Sequence, residues 1–239
     1  MLSKNQVRFI RGLRLKKNRK SQGLFLAEGK KVVDELLHSD FQLDKLFHTE
    51  DYVPPESATA QEVSINELKS LSSFATPNQV LGVFRIPESE PVVETGISLA
   101  LDDVNDPGNL GTIIRLCDWF DIPQILCSLN TVDCYNPKVV QASMGSLSRV
   151  RMNYLDLSDY LSQTNRSVYG TFTEGDSLYS TTFEKDAVLV MGNEANGISE
   201  EVRKWVTKEV SIPQFGKSKS TESLNVAMAT AIFLSELRR

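Results

Sequence analysis

A chain of 239 residues with 41% hydrophobic side chains can build one large core or two small ones without disulfide or metal staples. No stretch approaches the roughly 18 uncharged apolar residues of a membrane helix, and the basic N-terminus lacks the apolar run of a secretory signal. Cys117, Cys127 and Cys134 lack C-x-x-C spacing, and His38 and His48 are the only histidines, so disulfide frameworks, zinc knuckles and histidine triads are poorly supplied and a reducing cytoplasm fits.

The net charge is −5, yet it is unevenly spread. Residues 1–31 carry ten basic side chains against one acid, Glu28, so this segment is +9 and the rest of the chain −14. Such asymmetry is a footprint of polyanion binding, although a charged helical face also serves solubility alone. Arg11, Arg14, Lys16 and Lys17 are the candidate RNA contacts within it.

In chain order, the pattern predicts a helix over 8–17, a strand over 23–28, a helix over 30–38 and a short strand over 45–48. Ser64 and Glu67 have capping-box spacing ahead of a helix over 65–72, and 79–86 reads as a strand. The acidic, proline-flanked stretch 87–96 is expected to link a first domain, 1–86, to a second, 97–239. The second domain alternates strands (97–101, 124–127, 151–154, 167–173, 187–191, 209–212) with helices (109–120, 137–147, 158–164, 199–206, 223–237). This rhythm predicts an α/β fold, a mostly parallel sheet with helices on both faces.

Four segments stand at strand-to-helix turns or helix ends. In the helix from Asn109, Leu110, Ile113, Ile114 and Cys117 form the buried stripe. Arg115 falls about 140° from Leu110, on an outer side shared with Gly111 and Asp118, at about 100° per residue. Arg115 is free there for a ligand or pairs with Asp118. Pro107-Gly108 turns the chain so that Asn109 sits in the cleft at a strand's carboxyl end, where α/β sheets bind ligands. The loop Met191 to Gly197 carries Gly192, Asn193, Glu194 and Asn196, lacks the dinucleotide G-x-G-x-x-G pattern, and leads to Ser199 as a helix cap. Glu194 is expected to be buried and either functional or a tie within the loop. Gly216-Lys217-Ser218 fails as a phosphate loop because Ser211 stands where glycine is required. Ser223 reads as the cap of the last helix, with Leu224, Ala227, Met228, Ala231 and Leu234 as its stripe and Asn225 inside its first turn. Ser143-Met144-Gly145 at a helix end favours tight packing over a wall of the cleft.

Taken together, Asp106 to Gly111 with Arg115, Gly192-Asn193-Glu194 with Gly197, and Ile212-Pro213 with Ser223-Leu224-Asn225 resemble the SpoU, or TrmH-type, family of RNA 2′-O-ribose methyltransferases within the SPOUT superfamily. Ser143-Met144-Gly145 is similar to a fourth family element, and 1–86 resembles the ribosomal-protein-like RNA-binding domain that often precedes the catalytic one. The stretch 212–223, with Lys217 and Lys219, is a few residues longer than the family's shortest loops.

The resemblance implies a C-terminal trefoil knot, a homodimer, S-adenosylmethionine as cofactor and methylation of a ribose 2′-hydroxyl, with ribosomal RNA ahead of transfer RNA as substrate and no metal or membrane. It implies Arg115 as catalytic residue, arranged by Asn109, Glu194, Ser223 and Asn225, and cofactor contacts around Gly192, Gly197, Ile212 and Leu224. A non-catalytic RNA-binding or assembly protein on the same scaffold, or a base methyltransferase of the same superfamily, are the alternatives.

Overall fold

The computed structural model describes residues 1–74, 78–216 and 222–239. They divide into two compact units: Met1–Glu88 with Asp133–Ser148, and Ser89–Val132 with Arg149–Arg239.

The first unit runs α1 (Lys4–Gly12), α2 (Lys16–Gln22), β1 (Leu24–Glu28), α3 (Lys30–Leu37), β2 (Leu43–His48), β3 (Ala60–Glu62), α4 (Ile65–Leu71) and β4 (Val80–Arg85). Its sheet has the order β1-β4-β2-β3, antiparallel except where β3 joins β2. The helix expected over 8–17 is in fact two. α1 ends at Gly12, a poor helix former, and Leu15 takes an extended backbone before α2. Leu13, between them, is wholly buried with Ile10, Leu68 and Leu71. The predicted cap of α4 is present: Ser64 Oγ accepts from Glu67 N at 3.3 Å, and Glu67 Oε2 accepts from Ser64 N at 3.0 Å.

The second unit is built on β5 (Ile97–Leu101), α5 (Pro107–Trp119) and β6 (Gln124–Cys127). The chain then visits the first unit through α6 (Pro137–Ser143). It returns as β7 (Arg151–Tyr154), α7 (Leu157–Gln163), β8 (Ser167–Phe172), β9 (Asp176–Ser177), β10 (Ala187–Met191), α8 (Glu200–Arg203), β11 (Lys208–Ser211) and α9 (Val226–Leu237). The described strands form a parallel sheet in the order β7-β6-β5-β10-β8-β11-β9. β5, β6 and β10 are almost continuously apolar because a parallel sheet is covered on both faces. α5 packs against α9.

Two expectations about organisation change. Residues 89–96 are tied to the second unit: Val93 N donates to Gln124 Oε1 at 2.9 Å, and Asn153 Nδ2 donates to Glu90 O at 2.7 Å. The segment 133–148 packs with the first unit, where α6 lies on β1 and the Tyr135 ring sits 4.8 Å from that of Phe25. The expected helix over 137–147 stops at Ser143, because Met144 and Gly145 adopt left-handed backbone.

Candidate functional site

Parallel register brings the carboxyl ends of four strands to one edge of the sheet. Met191 stands beside Leu101, and Ser211 beside Phe172. The turns after β5, β8, β10 and β11 therefore leave the sheet together, where α/β sheets bind ligands.

The turn after β5 ends at Asp106, whose carboxylate caps α5 by accepting from Asn109 N at 2.8 Å. Pro107 is the first residue of the helix rather than part of a preceding turn, a position where its missing N–H costs nothing. Asn109 thus projects from the first turn of α5.

The turn after β10 is held by its own backbone and by Asn193. Asn193 N and Gly197 O lie 2.8 Å apart, and Gly197 N and Asn193 O 2.9 Å. Asn193 Oδ1 accepts from Ala195 N and Asn196 N, while its Nδ2 donates to Asp103 O at 2.6 Å. A Cβ on residue 192 would lie 2.2 Å from Gly197 C and 2.3 Å from Ile198 N, so only glycine fits. Gly197 has φ of 69°, a left-handed backbone that glycine adopts without strain. Ser199 caps α8 as expected, and its own N–H donates to buried Asp102 at 2.7 Å.

Three side chains far apart in sequence form a chain of hydrogen bonds. Asn225 Nδ2 donates to Asn109 Oδ1 at 2.9 Å, and Asn109 Nδ2 donates to Glu194 Oε1 at 2.9 Å. A carboxylate only accepts, which turns the Asn109 amide nitrogen toward Glu194 and its oxygen toward Asn225. Asn225 then points its own oxygen at Ala227 N and Met228 N, 2.9 and 3.3 Å away, and caps α9. The direction of every amide is set by this one sequence of donors and acceptors.

Beside this chain lies a cavity of about 480 Å³. Gly192, Gly197, Ile212 and Leu224, the predicted cofactor contacts, all line it, as do Glu194 and Ser223. Asn109, Asn225 and Arg115 are not among the lining residues. Arg115 is exposed on α5. Its alternative partner Asp118 is instead bound by Arg149, with N–O distances of 2.9 to 3.0 Å. The cavity wall also contains Thr171 and Phe172 at the end of β8, Thr173 just beyond it, and Ala229 and Phe233 of α9, none singled out from the sequence as a site residue. A strand over 167–173 was legible, and β8 ends one residue earlier at Phe172; that its end faces the same cleft depends on the strand order. Glu194, Glu200 and Glu222 put negative charge on the wall, against Arg203, which lies 4.6 Å over the Phe172 ring and pairs with Glu209 at 2.8 Å.

Several local expectations are corrected. Gly111 is buried, not on an outer face with Arg115. Glu194 is exposed rather than buried. Asn225, not Ser223, caps the last helix, which starts at Val226. Leu224 and Met228 are 51% and 65% exposed, and the buried stripe of α9 is Val226, Ala227, Thr230, Phe233 and Leu234. Lys217 and Lys219 lie outside the described residues.

In the first unit, Arg11, Lys16 and Lys17 are exposed, but Arg14 is half-buried. Its guanidinium donates to Leu71 O at 2.9 Å and to Ser72 O. Arg19 is 2% exposed, paired with Asp133 and bonded to the carbonyls of Leu13 and Arg14. Burial raises the thiol pKa values of Cys117 and Cys127 well above the ordinary value, which keeps them unreactive. Among the described residues no group of three or more His, Cys, Asp or Glu could hold a metal, and no helix is long and apolar enough to cross a membrane.

Residues 96–235 match the model of the SpoU rRNA Methylase family, and residues 4–82 that of the MRM3-like substrate binding domain. The 23S rRNA (guanosine(2553)-2′-O)-methyltransferase RlmP of Bacillus subtilis is 30% identical, over 99% of this chain and 97% of its own length. A solved TrmH-family structure from Porphyromonas gingivalis is 40% identical with a TM-score of 0.88, covering 99% of this chain and 98% of that one. An AdoMet-bound rRNA methyltransferase from Sinorhizobium meliloti is 28% identical with a TM-score of 0.86, covering 100% and 96%.

Proposed function

The chain belongs to the SpoU rRNA methylase family, and we propose that it transfers a methyl group from S-adenosylmethionine to a ribose 2′-hydroxyl of ribosomal RNA. The observation that carries this reading is the convergence of Gly192, Gly197, Ile212 and Leu224 on one cavity, flanked by the Asn225–Asn109–Glu194 chain.

The cavity fits such a cofactor. Its volume lies within the usual range of about 300–1,000 Å³ for small-molecule sites. Gly192 allows close approach to backbone donors and acceptors, and the three wall carboxylates favour a cationic ligand. When bound, the cofactor supplies an electrophilic methyl group on positive sulfur. Gly192, Ile212 and Leu224 would hold its adenosine and methionine portions.

Arg115 is the catalytic residue of this reading. As a planar cationic donor it holds the hydroxyl and a neighbouring phosphate and favours the developing negative charge on oxygen. Asn109, Glu194, Ser223 and Asn225 arrange the substrate around it. Arg115 does not line the cavity of its own chain, and in this reading it serves the cofactor of the partner subunit in a homodimer. Exposed apolar groups on the two packed helices support the same dimer: Trp119 of α5 is 84% exposed and Met228 of α9 65%. A C-terminal trefoil knot belongs to the same reading, with α9 packed against α5. The buried thiols of Cys117 and Cys127 suit the reducing cytoplasm.

Methyl incorporation from labelled S-adenosylmethionine into ribosomal RNA, recovered as nuclease-resistant dinucleotides, tests the reaction. Absence of incorporation with every RNA fraction would leave an RNA-binding protein without chemistry. Arg115→Ala is expected to lose transfer while keeping cofactor affinity within about threefold. Equal loss of both would remove its catalytic assignment.

A further inference from the structure

The basic N-terminal segment was legible as a charge excess, but the fold sorts its members. Arg14 and Arg19 are turned inward onto carbonyls and Asp133. Lys4, Arg8 and Arg11 are turned outward, and they stand at i, i+4 and i+7 along α1, one stripe on one face. α1 contains no acidic residue, and none of the three has a carboxylate partner among the described residues.

This stripe borders a second cavity of about 450 Å³, lined by Leu2, Lys4, Val7, Arg8, Arg11 and Ser70 of α4. Leu2 and Val7 form an apolar floor continuous with the core of the unit. Glu67, the acid that reaches the groove residue Leu2, is already engaged: its carboxylate accepts from Ser64 N at 3.0 Å and from Leu2 N at 2.7 Å, and these bonds hold its pKa below the ordinary value. The groove therefore combines an apolar slot with three unneutralised cations along one edge. A lone apolar ligand does not need the cations, and a bare anion does not need the slot. A nucleotide needs both, a flat apolar base and a phosphate on either side. The size also fits, since about 300–1,000 Å³ is usual for such sites.

We propose that the α1–α4 groove is a docking site for an unstacked nucleotide of single-stranded RNA, its base on Leu2 and Val7 and its flanking phosphates on Lys4, Arg8 and Arg11. The proposal rests on reading the chain as an RNA methyltransferase and assigns one surface of the first unit to the substrate.

The test uses the full chain and a ten-nucleotide oligouridylate, with affinity measured across a salt series. Replacing Lys4, Arg8 and Arg11 together by Gln is expected to weaken binding by about tenfold or more and to flatten the salt slope by about two, at roughly 0.7 per phosphate contact for single strands. Replacing Lys16, Lys17 and Lys20 by Gln removes the same charge outside the groove and is expected to cost less than about threefold. Ser70→Phe, which fills the slot, is expected to weaken binding several-fold with the slope unchanged. An unchanged circular dichroism spectrum and a cooperative unfolding transition at the parent's midpoint check that each variant is folded. Equal losses from the two triple variants, a silent Ser70→Phe, or equal binding of a ten-residue oligoglutamate or an anionic vesicle would overturn the groove as an RNA site. Oligonucleotide binding with the expected dependences, but no methyl transfer to any RNA, would instead remove the enzymatic reading and leave the groove standing.

Discussion

The arginines of the first unit and the amides of the second show opposite relations between sequence and role. In the first unit, the basic residues are neighbours along the chain, yet they part company in space. Arg14 and Arg19 close the structure from inside, and Arg8 and Arg11 face solvent beside a groove. In the second unit, Asn109, Glu194 and Asn225 are separated by 85 and 116 residues in their hydrogen bonds and yet form one unit. Closeness in sequence is thus a poor guide to shared work. What decides is whether the fold gives a polar group an internal partner, and whether that partner leaves another of its atoms free.

The comparison can be broken at several points. Arg19→Leu should have the largest effect on stability. It removes a buried guanidinium from Asp133 and leaves that acid without its partner, which for buried pairs costs about 3–5 kcal/mol. Denaturant unfolding measures it, and a loss under about 1 kcal/mol would place Arg19 with the surface cations. Gly192→Ala comes next. The added methyl would meet backbone at 2.2 Å, so the loop must move, and cofactor affinity should fall by about tenfold or more. Retained affinity would mean that the loop after β10 does not shape the cavity.

Asn225 separates its two tasks. Asn225→Ala should lose about 1 kcal/mol from the missing cap of α9 together with methyl transfer. Asn225→Ser keeps a capping oxygen but has no amide for Asn109, so stability should be restored and the rate should not. A rate that returns with Ser would make the link to Asn109 structural only. The smallest effect belongs to Glu67, whose pKa is held below the ordinary 4.5, chiefly by the amide of Ser64. A lowered carboxylate contributes its stability above the unfolded pKa and loses it as pH falls through the folded one. Glu67→Gln should therefore be less stable than the parent at neutral pH, and the gap should close below about pH 4 as the carboxylate protonates. A gap that persists in acid would trace the effect to packing rather than to charge.

The chain's own pattern determined most of the secondary structure. The strands 97–101, 124–127 and 187–191 coincide with the expected ones because a largely apolar run bounded by turn residues has few other solutions. The box of Ser64 and Glu67, the cap by Ser199 and the buried stripe of α5 were equally readable, since each depends on residues within one or two turns. The turns carrying Gly192, Gly197, Ile212 and Leu224 could also be marked in advance.

Tertiary structure alone decided what those turns meet. It buried Gly111, exposed Glu194 and Met228, moved the helix cap from Ser223 to Asn225, and took 133–148 into the other unit. It also turned Arg14 inward while leaving Arg11 in solvent. Periodicity fixes which side of an element is apolar, but not which neighbour arrives on the polar side. The nearest acceptor in space decides that, and strand order and helix packing place it there.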